Sequence, residues 1–147
     1  MPRTQVVEGS PVWKDIPPGA KIFVDSAPII YLLEDHPALA AQFLGLFEAE
    51  AAGQIQIAIS TLTIAEVLTG PYQHSEDAIA RRYEKALHRY EVIAVTTDIA
   101  ASASRLRARY KLKLPDAIQL ATALEIGAYA LVTHDRDFAK VQGMFIL

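Results

Sequence analysis

Ile22-Phe23-Val24-Asp25-Ser26 decides how the rest of the chain is read: three β-forming apolar residues run without interruption into an acid and a hydroxyl. An unbroken apolar run of this length predicts a short buried strand, the kind found inside a parallel sheet. Ahead of it, residues 1–20 carry Pro2, Pro11, Pro17 and Pro18 and close on Pro17-Pro18-Gly19, which predicts an irregular N-terminal extension. Behind it, Ala27 to Glu34 reads as a short helix with Pro28 tolerated in its first turn, and His36-Pro37 breaks the chain. Ala38 to Ala52 is a second helix ending at Gly53, with Leu39, Phe43, Leu46 and Phe47 at helical spacing.

The alternation continues to the end. Ile55 to Ile59 reads as a strand, and Thr63 to Thr69 as a helix stopped by Gly70-Pro71. Ser75 is placed to N-cap a helix running to about Tyr90, followed by a strand from Val92 to Val95 and a helix from Asp98 to Tyr110. Pro115 opens a helix ending at Gly127; Tyr129 to Thr133 is a strand and Met144 to Leu147 an edge strand. Strands alternating with helices predict an α/β fold, a three-layer α/β/α sandwich with a mostly parallel sheet of four to five strands. Residues 21–147 would form the single domain.

Composition narrows the function. With a net charge of -3 over 147 residues, the molecule as a whole does not attract a polyanion, which must find a local basic patch or a bound cation. No cysteine is present, so disulfides, thiolate zinc sites and cysteine nucleophiles are excluded. Neither a secretory leader nor an apolar run long enough for a membrane helix is visible, and a soluble, cytoplasmic protein with no membrane partner is expected.

Four acids stand where strands end or helices begin: Asp25, Glu66, Asp116 and Asp135. Each has an ordinary explanation. Asp25 caps a turn, Glu66 completes a Thr63-x-x-Glu66 capping box, Asp116 answers a helix dipole, and Asp135 turns the chain in His134-Asp135-Arg136-Asp137. Four acids at corresponding element ends, mostly without a neighbouring cation, point instead to a site for a hard divalent ion, Mg²⁺ or Mn²⁺. Such ions activate water and stabilise the leaving oxygen in phosphodiester hydrolysis, with no protein nucleophile needed.

At these residues the chain resembles the PIN-domain ribonucleases, and among them the VapC-type toxins of toxin–antitoxin pairs. The resemblance is carried by Phe23-Val24-Asp25-Ser26, by Thr63 to Gly70, by Leu114-Pro115-Asp116-Ala117-Ile118-Gln119-Leu120-Ala121-Thr122-Ala123, and by Leu131 to Phe138. It implies a PIN-like nuclease domain, an RNA substrate, a cognate antitoxin and a homodimer. Asp25, Glu66, Asp116 and Asp135 would bind the metal, Ser26 and Thr133 would support them, and Asp137 is an extra ligand or a turn cap. His134 stands where the family commonly has Asn, and the extension 1–20 precedes the point where the family usually begins.

Arg81, Lys85 and Arg89 share a helix face and read as solvated surface, whereas Arg105, Arg107, Arg109, Lys111 and Lys113 lead toward Asp116 and could guide RNA. Tyr72 and Tyr110 read as packing residues before base-stacking ones, and His36, His74 and His88 as surface residues. Two other classes compete. A catalytically inactive PIN-like binding module would not need all four acids. An aspartate-based phosphatase would want a second aspartate two residues after Asp25, where Ala27 stands, and a receiver-like domain a supporting lysine after a late strand.

Overall fold

The computed structural model describes residues 13–147. Five strands, β1 (Lys21–Val24), β2 (Gln56–Ser60), β3 (Glu91–Ile93), β4 (Ala130–Val132) and β5 (Phe145–Ile146), make one sheet in the order β3-β2-β1-β4-β5. Every pairing in it is parallel. Ile22 pairs with Ile57 on one side and with Ala130 on the other, so the stretch read first in the sequence is the central strand.

Alternate residues of the strands serve two cores. Ile22, Val24, Ile57 and Ile59 face α1 (Ser26–Leu33), α2 (Leu39–Ala51), α3 (Thr61–Gln73) and α4 (Asp77–Leu87), where Ile29, Leu46, Val67 and Leu87 meet them. Phe23, Ala58 and Leu131 face α5 (Thr97–Tyr110) and α6 (Leu114–Glu125). Ala58 shares the second core with Ala117, Ala121 and Ala123, so β2 is buried on both faces from Ile57 to Ser60 while Gln56 at its start is exposed. The result is the expected three-layer sandwich.

The chain steps outward from β1 to β2 to β3, then returns to lay β4 against the opposite side of β1. The direction of winding therefore reverses between β1 and β4, and the crevice at the carboxyl ends of those two strands is where such a sheet presents functional groups.

Four local expectations are corrected. Helix α3 starts at Thr61 and is capped by Ser60, whose Oγ accepts from Thr63 N–H at 3.3 Å, so no Thr63-x-x-Glu66 box forms and Glu66 lies beyond the first turn. The same helix continues through Gly70-Pro71 to Gln73; Val67 and Pro71 are both buried, and packing outweighs the backbone bond that proline forfeits. Ser75 does not cap α4: it takes a left-handed conformation at φ +57°, and the helix begins at Asp77. Helix α5 begins at Thr97 rather than Asp98, capped by Thr96, whose hydroxyl accepts from Ile99 N–H at 3.2 Å. Among the described residues no helix is long and apolar enough to cross a membrane.

Of the extension 1–20, residues 1–12 lie outside the described residues. Trp13–Asp15 form a 3₁₀ turn against α2, with Ile16 buried beside it. Gly45 is in the middle of α2, where glycine costs about 0.5–1 kcal/mol relative to alanine. Its reason is Trp13, whose Cδ1 would sit 2.6 Å from a Cβ at that position. Trp13 is the only tryptophan. Gly45→Ala is therefore expected to red-shift the tryptophan emission while leaving far-UV circular dichroism unchanged. Overpacking at about 1–3 kcal/mol exceeds the helical gain, so the melting temperature falls slightly. Unchanged emission would show that the indole does not rest on Gly45.

Candidate metal centre

Asp25 leaves the end of β1 as the N-cap of α1, and its backbone N–H still pairs with Val132 O at 2.9 Å. Its carboxylate is buried and held at both oxygens: Oδ1 accepts from Ser26 N–H at 2.8 Å and Oδ2 from the Thr133 hydroxyl at 2.9 Å. Thr133 Oγ1 in turn accepts from Asp135 N–H at 3.0 Å, so one hydroxyl ties the ends of β1 and β4 together. Asp135 Oδ1 accepts from Asp137 N–H at 2.8 Å, closing the turn that opens the 3₁₀ segment Arg136–Lys140.

Asp116 arrives from the other side, in the first turn of α6 behind Pro115. Carboxylate oxygens of Asp116, Asp135 and Asp137 lie within 4.8 Å of one another. Asp137 thus both turns the chain through its N–H and faces the acids through its side chain. Asp25 and Glu66 are not in that close group, although Asp25 is near enough for its charge to act on Asp116. Glu66, exposed on α3, accepts from Ser26 Oγ at 2.8 Å.

Burial raises the pKa of Asp25, and the charges of Glu66 and Asp135 add to the rise, while the bonds from Ser26 and Thr133 oppose it. Burial is also the first cause for Asp116, followed by the charges of Asp135 and Asp25 and a hydrogen bond with Asp135; together they lift it to about 7 against opposition from Lys113. Asp116 Oδ2 is buried without a hydrogen-bond partner among the described residues. A lone pair sealed from water, among like charges, is the position a cation would fill.

Two contributions escaped the sequence reading, and a third gives the basic run before Asp116 a definite contact. His134 has a packing role: its Nδ1 lies 2.8 Å from Tyr31 Oη, and its ring stands edge-on to Tyr31 and Phe43, tying the loop after β4 to α1 and α2. Gln119 is buried in a hydrogen-bond cluster beneath the acids. Lys113 reaches Asp116 electrostatically, at the end of an exposed run in which Lys111 makes the left-handed turn from α5 toward α6. Lys21–Glu91 is the only salt bridge among the described residues, so Arg105, Arg107, Arg109, Lys111 and Lys113 are unpaired there, as are Arg81, Lys85 and Arg89.

The raised pKa of Asp116 has a definite consequence for the metal-free protein. Between the ordinary value of 3.8 and about 7 the folded chain retains a proton that the unfolded chain has released. Stability from this group is therefore full below the lower value and is lost as pH rises through the upper one. In EDTA, Asp116→Asn is expected to melt at or above the wild-type temperature at pH 8, with the difference shrinking toward pH 5. A variant that melts below wild type at pH 8 would make the ionised Asp116 a helix-stabilising acid and nothing more.

The PIN domain family model matches residues 22–144. A toxin–antitoxin complex from Klebsiella pneumoniae is similar at 32% identity and a TM-score of 0.67, over 86% of this chain and 95% of that one. VapBC2 from Rickettsia felis, bound to a DNA fragment from its promoter, shares the fold at 19% identity and a TM-score of 0.70, over 86% and 97% of the two chains. So does VapC20 of Mycobacterium tuberculosis, a sarcin–ricin loop cleaving toxin, at 19% identity and a TM-score of 0.65, over 80% and 92%. No curated protein matches the chain in sequence. The family match runs from Ile22 in β1 through β4 to the residue before β5 and takes in each of the acids in order; the chain belongs to the PIN domain family.

Proposed function

We propose that the chain is a divalent-metal-dependent endoribonuclease that hydrolyses RNA phosphodiester bonds, and that it is the VapC-type toxin of a toxin–antitoxin pair. The observation that carries the reading is Asp116 Oδ2, buried and unpartnered beside Asp135 and Asp137. The donor set consists of carboxylate oxygens, which suit Mg²⁺ or Mn²⁺ and not a soft metal. Asp25, Glu66, Asp116 and Asp135 would hold the ion, with Asp137 within reach. Bound there, it would supply Lewis-acid stabilisation of the phosphoryl oxygens and a more acidic attacking water.

The chain's own residues have separate tasks. Ser26 and Thr133 hold the carboxylates of Glu66 and Asp25 in place. Lys113 and the exposed arginines of α5 offer phosphate contacts leading to the pocket, which compensates locally for the net negative charge. Similarity to a toxin–antitoxin complex at 32% identity supports an antitoxin as partner, one that silences the enzyme by covering the acids. A homodimer and a cytoplasmic location complete the reading.

Purified protein is expected to cleave single-stranded RNA with Mg²⁺ or Mn²⁺ and to stop in EDTA. Asp116→Asn should lower the rate by orders of magnitude with an unchanged circular dichroism spectrum; undiminished cleavage by that variant would refute the assignment. In cells, expression of wild type alone should arrest growth, and co-expression of a short antitoxin frame encoded beside it should relieve the arrest. Asp25→Ala should be harmless at matched protein levels. A wild type that is equally harmless removes the toxin from the proposal and leaves the nuclease to the cleavage assay.

A further inference from the structure

Gln119 follows Asp116 by one turn of α6, on the same side of the helix, and is only 1% exposed. Its Oε1 accepts from Ser60 Oγ at 2.6 Å. Its Nε2 donates to Thr63 Oγ1 at 2.9 Å and to Ser26 Oγ at 3.2 Å. Ser26 Oγ then donates to Glu66 Oε1 at 2.8 Å.

The direction of this chain is forced by proton count. An ionised carboxylate only accepts, so Ser26 spends its single hydroxyl proton on Glu66. From position 119 it can then only accept, which requires the amide NH₂ and not the carbonyl to face it. The carbonyl is left for Ser60, which accepts from Thr63 N–H and has its own proton free to give. Reversing the amide would aim two lone pairs at one another and turn the Ser26 proton away from Glu66.

We infer that Gln119 is a positioning residue for the metal centre, holding the Ser26 hydroxyl so that it fixes the carboxylate of Glu66. The inference rests on the proposed metal-dependent activity and deepens it. Glu66 needs such help more than the other acids do. Asp25 is buried and held at both oxygens, and Asp135 is fixed by a turn, whereas Glu66 is exposed on a long side chain whose one side-chain hydrogen bond among the described residues is to Ser26. With an apolar side chain at 119, Ser26 would lose its donor and be free to rotate, and Glu66 would be free to turn into solvent.

The test is titration of the metal-free full chain with Mn²⁺ alone, by calorimetry or electron paramagnetic resonance, for wild type, Gln119→Met, Ser26→Ala and the double variant. Gln119→Met keeps volume and removes both hydrogen-bonding functions. It is expected to weaken Mn²⁺ binding by about 10- to 100-fold, as loss of a ligand-supporting partner does, and Ser26→Ala to do the same. Because both break one chain, the double variant should bind no more weakly than the worse single variant. In RNA cleavage, excess Mn²⁺ should restore most of the Gln119→Met rate with KM for RNA unchanged, which a general packing defect would not allow. Should Gln119→Met lose its native circular dichroism, Gln119→Leu takes its place. Unaltered Mn²⁺ affinity in the position-119 variant, or losses that add in the double variant, would overturn the inference while leaving the metal centre standing. A wild type that binds no Mn²⁺ would overturn both.

Discussion

Asp116 and Asp135 place carboxylate oxygens within 4.8 Å of each other in a pocket that water reaches only in part. At that separation two ionised groups repel by roughly 3–4 kcal/mol at an effective dielectric constant near 20, less whatever solvent screens. Against a typical folding free energy of about 5–15 kcal/mol this is a large local debt, and Asp25 and Glu66 add charge from the other side. The protein's answer in the absence of a cation is to keep a proton on Asp116 near neutral pH.

The remainder of the pocket reduces the freedom of the acids without neutralising them. No arginine or lysine pairs with any of them among the described residues; the counter-groups are hydroxyls and backbone N–H groups. Such dipoles orient a carboxylate while leaving its charge available. Thr133 joins the ends of two neighbouring strands, and Gln119 joins α6 to α3 and α1, so helices from opposite faces of the sheet are registered against each other at the site. His134 with Tyr31 and Phe43 closes the same loop from the outside.

The layer order and the strands were legible because apolar runs such as Ile22-Phe23-Val24 are long compared with the alternatives open to them. Helix boundaries were less so. Ser60-x-x-Thr63 and Thr63-x-x-Glu66 both look like caps, and the choice depends on where β2 ends, which Ser60 settles by pairing with Ile93 across the sheet. Gly70-Pro71 spells a stop, but burial of Val67 and Pro71 holds α3 helical. Gln119 was hidden in its own motif: its partners lie 56, 59 and 93 residues away, and only a polar residue among Ala117, Leu120 and Ala121 hints at it. The acids could be found at junctions, yet that Asp137 turns inward and Glu66 stands apart required the loops in three dimensions.

The central strand acquires its second neighbour very late. Thr133 reaches Asp25 across 108 residues of chain, and β4 can occupy the free edge of β1 only after α5 and α6 have been made. During translation β3, β2 and β1 can assemble first, leaving an apolar edge of β1 exposed, the kind of edge that pairs with whatever strand it meets. A growing chain is thus at its most vulnerable to misassociation just before β4 emerges. Until then it has Asp25, Glu66 and Asp116 but no Asp135, so the acidic pocket stays incomplete until the last strands are in place.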